Sequence, residues 1–331
     1  MSSLAGGIQL DRPQILRFNQ GMNPYAIYTA SDKKYGDFLI EHWLASLRAT
    51  TDLRQIDVRV LDFGLSLAQR SYLEHEGVGV RRCRRDGHVT VVRFRELAED
   101  LSALPYETVM ACDGGDIIFQ DDISPLFRQN PHVFRAVTED LKSGFEFFLS
   151  EDFFSRSSLK EMKSLISAKP QINAGLILGP KSEFLELCRA IDTLIKDKSR
   201  FGPDQLVVNY ILHKKGFIDL GSAYNFVIAT AKENFEIIGG VFFSKTTGKP
   251  IPVVHNAGNW KFLRPVENFG FGPSCNHLKP DVMTTLRFLH HSTAFLQSSQ
   301  EQVKKLARKA LARTRELQKN VRLRSPKKTK R

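Results

Sequence analysis

The chain has 331 residues, 42% of them hydrophobic with 24 Phe, enough for one large domain or two small ones; no run approaches the roughly 20 apolar residues of a membrane span, and the start MSSLAGGIQLDRPQILRF lacks the cationic-then-apolar pattern of a secretory leader. Four scattered cysteines (Cys83, Cys112, Cys188, Cys275) form no Cys-x-x-Cys pair, which argues against structural zinc and for reduced thiols in a cytoplasmic protein. The net charge of +12 is concentrated in residues 301–331, which hold 13 Lys and Arg against Glu301 and Glu316 and leave about +1 for the body, so the body carries no basic nucleic-acid footprint.

In chain order, residues 1–23 read as an N-terminal extension. PYAIYTA, 24–30, predicts a buried strand opening onto the polar loop SDKKYGD. FLIEHWLASLRAT has helical spacing, with Phe38, Leu39, Trp43, Leu44 and Leu47 on one broad face. IDVRVLDFG, 56–64, alternates as a second strand, and LSLAQRSYLEHEG predicts a helix ending at Gly77. VGVRRC and the segment around HVTVVRF predict further strands, and ETVMACD, 107–113, predicts a central one. After Pro125 come PHVFRAVTED, INAGLILGP, a helix KSEFLELCRAIDTLIKDK, GPDQLVVNYILHKKG and a strand in IPVVHNAGNWKFLRP; 266–290 reads mostly as loop. Strands alternating with helices predict an α/β fold over 24–295, its sheet mostly parallel and flanked by helices.

The apolar run of ETVMACD stops at CDGGD. On a continuing strand Asp113 and Asp116 would point to opposite faces, but Gly114 and Gly115 allow a tight turn that could bring both carboxylates to one point. Two converging carboxylates make a hard oxygen site for Mg²⁺ or Mn²⁺; an Asp-Gly turn with solvated acids is the competing reading. Asp121 and Asp122, before Ile-Ser-Pro, read as caps of the next helical turn. In open α/β sheets ligands bind beyond the carboxyl ends of the strands, the position of both TASDKKY and DGGD.

Together these segments resemble glycosyltransferase family 8, which includes bacterial lipopolysaccharide galactosyltransferases and glycogenin. Asp116 matches the second aspartate of its strand-end motif, followed by Asp122-Ile123 and Leu126-Phe127, while the first is displaced to Asp113, giving Asp-x-x-Asp. YAIYTASDKKYGDFL resembles the family's first strand and uridine-binding loop, implicating Thr29, Ala30, Asp32 and Tyr35. Arg95 lies near the place of a diphosphate-binding arginine. INAGLILGP resembles the segment lining the sugar pocket, through Asn173, Ala174 and Gly175, and GPDQLVVNYIL carries the Asp-Gln pair as Asp204 and Gln205. HNAGNWK reproduces His-x-x-Gly-x-x-Lys as His255, Gly258 and Lys261, with Phe262-Leu263 in place of the usual Pro-Trp.

The resemblance implies a GT-A nucleotide-sugar transferase fold and a metal-dependent enzyme that moves a hexose from a UDP-sugar to a glycan or lipid-linked acceptor, with retention of configuration. Asp113, Asp116 and His255 would hold Mn²⁺ or Mg²⁺, and Lys261 would meet a phosphate. Glu139, Asp140 and Asp204 would bind sugar hydroxyls, with Gln205 under the anomeric carbon. An inverting enzyme would instead draw a base from Glu139, Asp140 or Asp204. The tail 296–331 combines an apolar stripe with its cations, the pattern of a helix on an anionic membrane surface, and predicts a cytoplasmic enzyme held peripherally on the inner face of the membrane. An inactive interaction module on the same fold, or nucleic-acid contact through the tail, are the alternatives.

Overall fold

A computed structural model of the chain describes residues 23–140, 148–258 and 264–291. The sequence's N-terminal extension, except Asn23, and its basic tail lie outside the described residues.

The central sheet has seven strands: β1 (Tyr25–Ser31), β2 (Ile56–Asp62), β3 (Gly79–Arg82), β4 (Thr108–Cys112), β6 (Phe134–Thr138), β7 (Ile172–Pro180) and β8 (Phe217–Asp219), in the order β3-β2-β1-β4-β7-β6-β8. Only β7 runs against its neighbours, pairing antiparallel with β4 and β6; the other pairs are parallel. Successive residues of these strands are buried on opposite faces. Ala26, Tyr28 and Val109 join one hydrophobic core and Ile27, Met110 and Cys112 the other, as expected for a sheet covered on both sides. The first core packs under helices Val89–Ser102, Lys181–Leu194 and Pro203–Lys215, and the second under the helical segment 36–50. The mostly parallel α/β architecture is therefore the one the sequence predicts.

Two expectations are corrected. The segment around HVTVVRF is helix, not strand: its β-branched run alternates over a few residues, but Val91, Val92, Phe94, Leu97 and Leu101 are all buried in the first core, the spacing of a helix face. The stretch 266–290, read as loop, contains a two-stranded ribbon (Val266–Glu267 with His277–Leu278) and the helix Pro280–His291.

A second, three-stranded sheet decides where the chemistry lies. β5 (Ile117–Phe119) leaves the main sheet directly after the Gly-Gly turn and pairs antiparallel with β12 (Val253–His255), which also pairs with β9 (Phe226–Val227). The register sets His255 opposite Ile117, next in sequence to Asp116, and the Asn256 amide donates to the Asp116 carbonyl at 2.9 Å.

Candidate metal and donor site

Sequence separates the acids of CDGGD from His255 by more than a hundred residues; the β5–β12 register removes that distance. Ligand atoms of Asp113, Asp116 and His255 all lie within 4.8 Å of one another. His255 Nε2 is 3.4 Å from Asp116 Oδ1 and 3.8 Å from Asp113 Oδ2. The outer oxygens are taken by arginines. Arg93 donates to Asp113 Oδ1, and Arg264 donates to Asp116 Oδ2 at 2.8 Å while its Nε holds the Gly258 carbonyl at 3.0 Å. Each aspartate thus commits one oxygen to an arginine and turns the other towards His255.

The electrostatics follow from this crowding. Burial works against a charged His255, but the Asp116 and Asp113 carboxylates outweigh it and raise its pKa. Burial likewise opposes ionisation of Asp116, yet the cations of His255 and Arg264 hold it below the usual carboxylate range.

The two glycines act by leaving room. Neither is in the left-handed backbone region, contrary to the freedom of backbone angle inferred from sequence. A Cβ on Gly114 would stand 2.4 Å from Thr29 Oγ1, and one on Gly115 would stand 2.9 Å from the Tyr35 ring. Thr29 and Tyr35 therefore abut the aspartate turn. Ala30, at the end of β1, has its carbonyl 3.2 Å from the same Gly114 position. Asp32 sits at the loop entrance, capping Lys34 N at 3.0 Å and pairing with Arg85 at 3.1 Å.

The opposite wall is a β-bulge. The β6–β7 register jumps from Ala136↔Ile177 to Val137↔Asn173, so Ala174, Gly175 and Leu176 face no β6 partner and leave the ladder incomplete. Side-chain amides from helix Pro203–Lys215 bond the β7 backbone in and beside the bulge. Gln205 Oε1 accepts from Ala174 N at 2.9 Å, its Nε2 donates to Ile172 O, and Asn209 Oδ1 accepts from Ile172 N at 2.8 Å. Gly175 must lack a side chain, because a Cβ there would fall 2.4 Å from the His255 ring. Its carbonyl accepts from Asp113 N at 2.9 Å.

Of the acidic candidates, Glu139 joins this wall, accepting from Asn173 Nδ2 at 2.7 Å. Asp140 accepts from Lys232 N at 2.9 Å. Asp204 is buried in the first turn of its helix, 3.4 Å from Thr90 Oγ1. Burial pushes its carboxyl up to about 6, against the pull of Arg93. Gly258 has φ +137°, a region that favours glycine; Lys261 lies outside the described residues. Arg95 faces Asp86 (2.7 Å) and Glu96 (2.8 Å). Arg93, two residues earlier, is the one on this helix that reaches Asp113, and reading the segment as helix is the signal that separates them, since residues two apart on a helix do not share a face. Arg264 and Asn225 also went unmarked in the sequence.

No family model and no curated protein matches the chain. Among solved structures it is similar to apo WbbM, a bifunctional glycosyltransferase, at 15% identity over 75% of this chain and 48% of that one, with a TM-score of 0.49. It is also similar to the galactosyltransferase LgtC in complex with donor and acceptor sugar analogues, at 17% identity over 81% of this chain and 95% of that one (TM-score 0.45). A third is the glycosyltransferase GlyE of Streptococcus pneumoniae TIGR4, at 17% identity over 76% and 58% (TM-score 0.45). The chain spans about half the length of the WbbM chain it matches.

Proposed function

We propose that the chain is a metal-dependent GT-A glycosyltransferase that moves a hexose from a UDP-sugar to a glycan or lipid-linked acceptor. The observation that carries this reading is the convergence of Asp113, Asp116 and His255 where β4 ends. Two hard carboxylate oxygens and one imidazole nitrogen, facing one another at these distances, suit a divalent cation, with the nitrogen favouring Mn²⁺ over Mg²⁺. When bound, such an ion supplies charge stabilisation to the leaving diphosphate.

The chain's own residues would do the rest. Arg93 and Arg264 fix the carboxylate rotamers, so the ligand oxygens need not reorganise. Thr29, Ala30, Asp32 and Tyr35 would hold the uridine beside the aspartate turn. The bulge of Asn173, Ala174 and Gly175 would face the sugar, with Glu139 and Asp204 accepting from its hydroxyls. Gln205 would lie beneath the anomeric carbon, its amide bracing the bulge, and Lys261 would meet the diphosphate. Retention of configuration follows from the family resemblance, and proton NMR of the first-formed anomer tests it. The membrane role of 296–331 rests on sequence alone; among the described residues no helix is long and apolar enough to cross a membrane. Liposome binding that survives deletion after residue 300 would remove that role.

The assay for the main reading is hydrolysis of UDP-galactose and UDP-glucose with and without Mn²⁺. Mn²⁺-dependent release of UDP that disappears in Asp116→Ala is the expected result. Release indifferent to both changes would overturn it.

A further inference from the structure

We infer that Asn225 is a positioning residue that sets the tautomer of His255, and that Asn173 locks Asn225 in the orientation this requires. The chain of reasoning begins at two groups whose roles are fixed by chemistry. The Gly175 backbone amide can only donate, and it lies 2.8 Å from Asn173 Oδ1. The Glu139 carboxylate, on the other side, accepts from Asn173 Nδ2 at 2.7 Å. Asn173 is therefore held with its oxygen towards Gly175. That same oxygen is 3.0 Å from Asn225 and can accept only from its nitrogen. Asn225 Oδ1 is consequently the atom 2.9 Å from His255 Nδ1, so Nδ1 carries the proton. Nε2 is the nitrogen left facing Asp116 Oδ1 and Asp113 Oδ2, and it is the one that gives up its proton when the ring becomes neutral. All three residues of the relay are buried, where water does not substitute for the missing partner.

The arrangement puts one ligand on rails. The free imidazole has no need to choose Nδ1–H, and a His255 with its proton on Nε2 would present a donor where a cation ligand is wanted. Outer partners of ligating histidines fix tautomer and ring orientation, and their loss lowers metal affinity about 10–100-fold. This consequence rests on the metal reading above; the tautomer itself does not.

The test separates the two. Long-range ¹H–¹⁵N NMR of metal-free protein carrying ¹⁵N-histidine, at a pH where the ring is neutral, reports the tautomer, with the His255 signal identified by its absence in His255→Gln. Wild type is expected as Nδ1–H, Asn225→Leu as mostly Nε2–H, and Asn225→Asp, which keeps the acceptor, as Nδ1–H. Nε2–H in the wild type, or an unchanged tautomer in Asn225→Leu, would overturn the inference; if Asn225→Leu does not fold, the wild-type spectrum still decides. Mn²⁺ affinity in Asn225→Leu is expected to fall about 10–100-fold. A switched tautomer with unchanged Mn²⁺ binding supports the relay and counts against the metal reading instead.

Discussion

Two charge clusters sit on the same sheet and differ in one respect. In the first, Asp100 accepts from Tyr28 Oη (2.8 Å) and Arg59 Nε (2.6 Å) on Oδ2 and from Arg59 Nη2 (3.0 Å) on Oδ1. Both oxygens meet donors, the geometry is bidentate, and the cluster is complete. In the second, Asp113, Asp116 and His255 bring ligand atoms to within 4.8 Å of one another, while Arg93 and Arg264 hold only the outer oxygens. The first ties helix Val89–Ser102 to β1 and β2. The second leaves one oxygen of each aspartate turned to His255, and the proposed metal site rests on that difference.

The sharpest way to break this comparison is to remove one acid from each cluster. Asp116→Ala is expected to lower metal-dependent donor turnover by a factor on the order of 10³, about 4 kcal/mol of transition-state stabilisation, and to cost stability as well, because Arg264 loses its carboxylate. Asp100→Ala should cost stability alone: breaking a buried ion pair costs about 3–5 kcal/mol, and the protein that remains folded should bind Mn²⁺ normally. Urea melts and Mn²⁺ titrations of both variants check this, and a metal-binding defect in Asp100→Ala would blur the distinction.

The next effect is pH-dependent. The Asp204 carboxyl, pushed up to about 6 by burial, binds its proton more tightly in the folded chain than in the unfolded one. Its contribution to stability is therefore greatest below about pH 4 and declines as pH rises to about 6, by about 3 kcal/mol. Asp204→Asn should be close to wild type in urea stability near pH 4 and more stable near pH 8; the same difference at both values would contradict the assignment. Smaller again is Gly114→Ala, whose Cβ would press on Thr29 Oγ1 and cost about 1–3 kcal/mol as overpacking, measurable in the same melts. Last, Arg93→Gln should weaken donor turnover and Arg95→Gln should leave it unchanged, because the Arg95 fork is engaged by Asp86 and Glu96.

Much of the frame was legible in the sequence because burial on both faces leaves unbroken apolar runs. β1, β4 and β7 read this way while β2 alternates, and the run of β4 ends at Asp113 where the candidate site begins. The aspartate turn was legible where chemistry is local, in Asp-Gly-Gly-Asp, whereas His255 was marked only by the family resemblance. The site was not legible where it depends on pairing. That Asn173, Ala174 and Gly175 fall at a bulge, and that Gln205 and Asn209 satisfy it, is a property of two strands and a helix at once. Arg93 was hidden by the Val-Thr-Val-Val run that reads as a strand. Arg264 meets Asp116 across 148 positions of sequence, and no spacing rule marks that contact.

The central claim is tested most directly by electron paramagnetic resonance of Mn²⁺ titrated into the protein with UDP present. The account predicts a single protein-bound ion per chain that is lost in both Asp113→Asn and Asp116→Asn. No bound Mn²⁺ in the wild type, or binding that survives in the two variants, would contradict it.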